Sequence, residues 1–213
     1  MVVDQKRAEN GPPPHERPEC EKVHVIACGA LAREILAVCA QHGLEHVDIR
    51  CLPAIWHAHP RKIVPGLEEA VADARGRGFK TIFFAYADCG TGGDIDRLCE
   101  REGIARIAGP HCYSFFRGNA AFEAEADDNI LSFFLTDFLA RQFQSFVVEP
   151  LGLDRHPDLK EMYFGNYRKL VYLSQQEDEE LQEKAKAAAD YLGLAYEYRF
   201  TGYGDLTPTL ARL

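Results

Sequence analysis

Residues 81–94, TIFFAYADCGTGGD, decide the fold of this sequence. The apolar run 81–87 has the length and the aromatic content of a buried strand, and a glycine-rich turn follows it and leads into a helical pattern. A strand that ends in such a turn places reactive groups at the carboxyl edge of a parallel sheet, where open α/β folds bind ligands. The sequence therefore predicts an α/β fold with a site at this edge, and the site includes the thiol of Cys89.

The same pattern of strand, turn and helix recurs along the first half of the chain. The predicted strands are 23–27, 47–52, 81–87 and 105–109, and the predicted helices are 30–39, 61–75 and 93–102. The second half predicts an aromatic-rich helix 135–143, a short helix 157–163, a strand 167–173, a helix 179–192 and an edge strand 195–200. We expect a mainly parallel, three-layer sheet of about five to six strands flanked by helices. It would form one domain over 22–213, with an aromatic-rich helical segment at 130–166 packed on it, behind a flexible leader 1–21.

The bulk composition is that of a globular protein, with 46% hydrophobic and 27% charged residues. A net charge of -9 argues against nucleic acid or a membrane surface as partner, because both attract basic faces. The sequence has no apolar run of about 18 residues that could span a bilayer. The polar, proline-bearing start resembles no signal peptide, so we expect a cytoplasmic protein.

Three of the seven cysteines occupy equivalent positions in the predicted fold. Cys28, Cys89 and Cys112 each follow a predicted strand and stand beside glycine or proline, where the start of a helix is expected to lower a thiol pKa. The chain has no CxxC pair, so any metal site must be gathered from distant segments. We predict that these three thiols meet, and that Cys39, Cys51 and Cys99 are packing residues.

Three converging thiolates have three chemical uses. They could ligate zinc, with His57, His111 or a substrate atom in the fourth tetrahedral position. They could hold three irons of a [4Fe-4S] cluster. One of them could instead be a nucleophile with a histidine as its base. We favour a metal, and Zn²⁺ over the cluster, because imidazole suits zinc.

The glycine turn itself predicts a second element of the site. Gly90, Thr91, Gly92 and Gly93 can present successive backbone amides at a helix start, which is an arrangement that binds anions. A tight turn capped by Asp94 is the simpler interpretation. On the first interpretation, the amides would hold the anionic part of a small-molecule substrate or a thiol ligand.

Six ordered motifs resemble domain-of-unknown-function family 1638. They are CGAL at 28–31, LPA at 52–54, DCGTGG at 88–93, HCY at 111–113, FLTDFL at 134–139 and LDRHP at 153–157. Members occur in bacteria and methane-forming archaea, some near genes for corrinoid proteins and one-carbon methyltransferases. The resemblance implies a role in methyl-group or corrinoid metabolism and supplies no established catalytic residues.

These observations lead to one main functional hypothesis and two alternatives. The main hypothesis is a metal-binding protein in corrinoid-linked methyl transfer, with Cys28, Cys89 and Cys112 as ligands and His57 or His111 as a fourth ligand or proton carrier. The first alternative is a non-catalytic protein that binds a corrinoid protein or a methyltransferase and assists its assembly. The second is a thiol enzyme that needs no metal.

Overall fold

The computed structural model describes residues 22–213, and the expected leader 1–21 lies outside the described residues. The strands are β1 (Val23–Cys28), β2 (Val47–Leu52), β3 (Thr81–Ala85), β4 (Ala105–Arg106), β5 (Ser132–Thr136), β6 (Lys169–Ser174) and β7 (Ala195–Phe200). The helices are α1 (Ala32–His42), α2 (Ile63–Gly76), α3 (Asp94–Glu102), α4 (Cys112–Arg117), α5 (Asn119–Ala124), α6 (Ala126–Asn129), α7 (Asp137–Arg141), α8 (Leu159–Phe164), α9 (Glu179–Leu192) and α10 (Leu206–Leu210). None of the helices in this part of the chain is long and apolar enough to cross a membrane.

The strands form two parallel sheets. Sheet A has four strands in the order β2-β1-β3-β4, and sheet B has three in the order β5-β6-β7. Every strand pair is parallel. The predicted α/β class with parallel sheets flanked by helices is therefore confirmed, but the expected single sheet of five to six strands is divided into two.

Sheet A is the middle of three layers. On one face, Val25 and Ala27 of β1 pack with α1 and with α10. On the other face, Ile26 of β1 packs with Leu67 of α2 and with α3. The alternation along β1 follows from the period of two in a strand, and both of its faces are apolar because both are covered.

Helix α4 connects the two sheets. Phe115 and Phe116 of α4 lie in the core of sheet A. Tyr113 of the same helix packs against Phe134 on sheet B, and their ring centroids are 5.6 Å apart. The helix that carries Cys112 is thus held from both sides.

The predicted helix 135–143 is wrong in its first part. Residues 132–136 form strand β5, and the helix α7 begins only at Asp137. Thr136 ends the strand and caps the helix, since its hydroxyl accepts a hydrogen bond from the amide of Leu139 at 3.4 Å. The aromatic run suits a strand because Phe134 and Leu135 point to opposite covered faces of sheet B.

Asp137 closes the carboxyl edge of sheet B. Its carboxylate accepts hydrogen bonds from the hydroxyl of Tyr172 at 2.7 Å and from the amides of Gln175 at 3.1 Å and Gln176 at 3.2 Å. Arg141 stands 3.6 Å away, and Asp137 is fully buried. This edge is therefore filled by protein groups.

The segment before α10 packs on helix α4. The amide of Asp205 donates to the carbonyl of Phe115 at 2.8 Å, and its carboxylate accepts from the amide of Asn119 at 2.8 Å. Gly204 has a φ of +49°, and a Cβ there would overlap the carbonyl oxygens of Phe115 and Phe116. Only glycine lets the backbone approach α4 this closely.

Candidate thiol site

The carboxyl edge of sheet A carries all three predicted thiols. Cys28 is the last residue of β1, Cys89 follows β3, and Cys112 is the first residue of α4, which follows β4. These three strands are neighbours in the order β1-β3-β4. Parallel pairing brings their ends to one edge, so residues 28, 89 and 112 come together although they are far apart in sequence.

The backbone at Cys89 joins two of the turns. Its amide donates to the carbonyl of Pro110 at 2.8 Å, and the amide of Asp88 donates to Gly109 at 3.1 Å. Among residues 22–213, Cys89 is the one residue other than glycine with a positive φ, +50°. A side chain in this left-handed region is strained, and such strain is concentrated at functional sites.

The three cysteines are partly buried, and their thiols are close enough to affect one another. Burial, followed by the nearby Cys28, raises the pKa of Cys89 to about 12. Burial raises the pKa of Cys112 well above the usual value, and Cys89 and Cys28 add to the effect. The pKa of Cys28 is also raised, chiefly by burial, although the backbone amide of Ala30 acts against the rise.

This direction is opposite to the expectation that a helix start would lower the thiol pKa. Burial is the largest influence on all three thiols, because loss of water contact strongly disfavours a thiolate. All three groups are therefore neutral thiols at neutral pH as the chain stands.

Tyr86 belongs to the same cluster and was not predicted from the sequence. It is 2% exposed, and its hydroxyl completes no hydrogen bond of normal geometry within residues 22–213. Burial and the neighbouring Cys28 and Cys89 raise its pKa. In sequence it belongs to an apolar run, and no pattern distinguishes it from a core residue. The buried Tyr86 hydroxyl therefore lies beside the thiols of Cys28 and Cys89.

His111 caps the helix that begins with Cys112. Its Nδ1 accepts from the amide of Ser114 at 3.4 Å, so the neutral ring carries its proton on Nε2. Burial lowers its pKa, and the nearby His57 lowers it further. At neutral pH, His111 is thus a neutral donor beside the thiols.

His57 lies on a loop that packs on the glycine turn. The loop forms a 3-10 turn, Ala54–Ala58, anchored by Trp56, whose indole fills the space where Gly66 of α2 has no side chain. Pro60 lies over the turn, since a Cβ on Gly90 would be 3.4 Å from its Cγ. The His57 side chain stays accessible to solvent, yet surrounding protein atoms lower its pKa.

The glycine turn binds the carboxylate of its own Asp88. Oδ1 of Asp88 accepts from the amide of Gly93 at 2.7 Å and from the hydroxyl of Thr91 at 2.9 Å, and Oδ2 accepts from the amide of Gly92 at 3.2 Å. We expected these amides to hold an anionic substrate. The structure corrects this expectation for Gly92 and Gly93, because an anion is already supplied by the chain.

Replacing Asp88 by alanine is expected to destabilise the fold by about 1–3 kcal/mol, since the donors of the turn lose their acceptor. Added acetate should restore part of the loss in Asp88→Ala and little in the wild type, which urea unfolding would measure. Burial acts to raise the pKa of Asp88, but the turn's donors lower it overall. The difference in unfolding free energy between wild type and Asp88→Ala should therefore reach its full size above about pH 4 and disappear as the pH falls further.

Asp94→Ala is the matched control for this prediction. The carboxylate of Asp94 pairs with Arg97 on the surface of α3 and accepts no hydrogen bond from the amides of the turn. We expect a loss below about 1 kcal/mol with no response to acetate. Equal acetate responses in the two variants would contradict the assignment of the amides.

Arg106 positions the turn that leads to Cys112. Its guanidinium forms a two-point contact with Asp96, at 2.5 and 2.9 Å, and donates to the carbonyls of Ile107 at 2.8 Å and Gly109 at 3.3 Å. A planar guanidinium is suited to such fixed geometry. The side chain thereby connects α3, strand β4 and the turn after it.

The predicted site residues are thus brought to one region, but not into a ready metal site. Cys28, Cys89 and Cys112 interact with one another, and His57 interacts with His111. Within residues 22–213, no three His, Cys, Asp or Glu side chains stand close enough together to hold a metal ion as they are placed. Metal binding would require the cysteine side chains to turn towards a common point.

Comparison with known families agrees with the motifs in the sequence. The family model described as a protein of unknown function, DUF1638, matches residues 51–210. The chain belongs to the DUF1638 family. No curated protein and no solved structure gave a match. The matched range includes Cys89 and Cys112 of this DUF1638 chain and begins after Cys28.

Proposed function

We propose that the protein binds a thiophilic metal centre through Cys28, Cys89 and Cys112. The observation that supports this proposal is the placement of three partly buried, mutually interacting thiols at the ends of three neighbouring strands. No Lys or Arg side chain is the main influence on any of their pKa values. A divalent ion supplies the missing positive charge, because a coordinating thiol loses its proton outright.

The same electrostatics disfavour the metal-free thiol enzyme. A nucleophilic cysteine needs a lowered pKa or an adjacent base. Burial raises the pKa of Cys89 to about 12, which leaves almost no thiolate at neutral pH. The metal hypothesis is therefore preferred over this alternative.

The two histidines are given different roles in the proposal. His57 is neutral, accessible and on a loop, so we assign it the fourth ligand position. His111 uses Nδ1 as an acceptor, and its Nε2 proton makes it the proton carrier. Zn²⁺ is the preferred ion, and a [4Fe-4S] cluster on the three thiolates is the alternative.

The biological setting extends this proposal. A thiolate-bound metal can lower the pKa of a substrate thiol or water, and methyl transfer to a thiol uses such activation. We propose a cytoplasmic enzyme or accessory factor in corrinoid-linked one-carbon metabolism. A non-catalytic partner of a corrinoid methyltransferase remains the second proposal, for which co-purification with such a protein without turnover of small thiols is the expected result.

Cobalt titration under nitrogen tests metal binding. Reduced wild-type protein should take up one Co²⁺ and develop thiolate-to-cobalt absorption, and Zn²⁺ should displace it. Cys89→Ser should bind at least about tenfold more weakly with less charge-transfer absorption. Cys99→Ser is the control, since this cysteine lies on α3; burial raises its pKa, and the main charged groups that act on it are Arg106 and Asp96 rather than the other thiols.

The outcomes separate the proposals. Binding that is lost in Cys89→Ser and kept in Cys99→Ser supports the metal site. A broad visible absorption after addition of iron and sulfide, with no stable Co²⁺ complex, supports the cluster instead. Wild-type protein that shows neither signal would overturn the proposal of a metal centre.

A further inference from the structure

A large cavity lies beside the thiol site, between helix α4 and sheet B. Its volume is about 830 Å³, within the range of about 300–1,000 Å³ of small-molecule sites. Ring-bearing side chains dominate its wall; they are His111, Tyr113, Phe122, Phe133, Phe134 and Tyr167. The cavity and the thiol site share the first turn of α4, where Cys112 stands between His111 and Tyr113.

The rings form continuous packed surfaces. Tyr113 stacks on Phe134 with 5.6 Å between centroids, and Phe122 lies 5.4 Å from Phe134. His111 meets Phe122 edge-on at 5.0 Å. Walls of this kind favour a flat aromatic guest, because offset stacking and edge contacts add to the burial of apolar area.

The charge of the wall selects against anions. None of the residues that line the cavity is Lys or Arg, and Glu123 is the single carboxylate among them. An anionic ligand would lose its water without gaining a cation, and it would face a like charge. The wall therefore suits a neutral ring system.

Several polar groups of the wall are available to orient a guest. The Nε2 proton of His111 and the hydroxyls of Tyr113 and Tyr167 have no protein hydrogen-bond partner among residues 22–213, whereas Nδ1 of His111 is taken by Ser114. The wall is held in place by Asn129, whose amide donates to the carbonyl of Phe122 at 2.7 Å. A few fixed polar groups in an apolar cavity are typical of specific ligand sites.

We propose that this cavity binds an uncharged, planar aromatic small molecule, whose polar edge is held by His111 and Tyr113. The Tyr113 hydroxyl lines the cavity and can donate to an acceptor on that edge. The cavity wall and Cys112 share helix α4. The role of this guest as substrate of the metal centre rests on the proposed function, whereas its binding in the cavity is independent of that function.

Two fluorescent probes with the same ring skeleton test the proposal. Phenylnaphthylamine is neutral, and anilinonaphthalene sulfonate adds one negative charge to the same rings. Wild-type protein should bind the neutral probe with a fluorescence increase and at least about tenfold more tightly than the sulfonate. Glu123→Gln should tighten sulfonate binding, because it removes the carboxylate of the wall.

Matched tryptophan variants locate the binding. Ala126 lines the cavity, and Ala126→Trp should weaken the neutral probe at least about tenfold by filling the space. Ala124 is exposed on the neighbouring helix α5 and is not part of the wall, so Ala124→Trp should bind as the wild type does. Equal binding in the two variants, or a sulfonate affinity equal to that of the neutral probe, would overturn the proposal.

Cys89→Ser separates this proposal from the metal centre. The variant should keep neutral-probe affinity within about twofold, since the cavity wall contains none of the three cysteines. Probe binding that survives while cobalt binding fails in the wild type supports the cavity and overturns only the proposed metal function. Wild-type protein that binds cobalt but not the neutral probe overturns the cavity proposal alone.

Discussion

Gly204→Ala is expected to destabilise the protein by about 2–5 kcal/mol. Two effects add at this position. The φ of +49° is a left-handed conformation that costs a residue with a side chain about 1–2 kcal/mol. The new Cβ would also overlap the carbonyl oxygens of Phe115 and Phe116, which are backbone atoms and cannot rotate away. Urea unfolding followed by circular dichroism measures the change in the free energy of unfolding.

Gly202→Ala provides the control for the close approach. Gly202 has a φ of +56°, but a Cβ there would meet no atom within 4 Å. This variant carries the backbone strain alone, so we expect a loss of about 1–2 kcal/mol. If the two variants were equally stable, the packing of this segment on α4 would not contribute to stability.

Asp137→Ala is expected to cost about 3–5 kcal/mol, because it leaves several buried donors without an acceptor. The hydroxyl of Tyr172 and the amides of Gln175 and Gln176 all lose their partner at once. Asp137→Asn keeps one acceptor oxygen and should lose less. Asp154→Ala removes an exposed carboxylate and should change stability by less than about 0.5 kcal/mol.

The pH dependence gives a second check on Asp137. Burial raises its pKa above the usual value, although Tyr172 and the backbone amides act against the rise. A group whose folded pKa is raised stabilises most below its unfolded pKa, about 3.9, and this contribution is lost as the pH rises through the folded value. The stability difference between wild type and Asp137→Ala should therefore be larger at acidic than at alkaline pH. A difference that grows with pH would contradict this.

Local sequence signals predicted the elements whose ends carry strong caps. Helix α9 has the predicted bounds 179–192 because Asp178 accepts from the amide of Leu181 and Gly193 ends the helix at a φ of +74°. Strand β2 also has its predicted bounds. Strand β5 was mistaken for the start of a helix, since a short aromatic run fits either structure until its neighbours are known.

The division into two sheets could not be predicted in the same way. Periodicity shows that a segment is a strand but does not specify its partner. Residues 132–136 pair with β6 and not with β4, and this choice depends on α4 being packed between the sheets. The confirmed α/β class is a property of the repeated pattern, whereas the strand count of each sheet is a property of tertiary packing.

The candidate site was predictable where topology alone determines position. Cys28, Cys89 and Cys112 come to one edge because parallel strands share their direction. The raised pKa of these thiols, the unpartnered hydroxyl of Tyr86 and the capture of two turn amides by Asp88 depend on burial and on distances that no spacing encodes.

Assembly of the edge from three separated turns has a practical consequence. The sulfurs of Cys28, Cys89 and Cys112 lie on three separate turns of the polypeptide. A fragment that contains only one of these turns therefore has no site. Opening of the sheet uncovers these partly buried sulfhydryls, so their rate of alkylation should rise with the opening equilibrium.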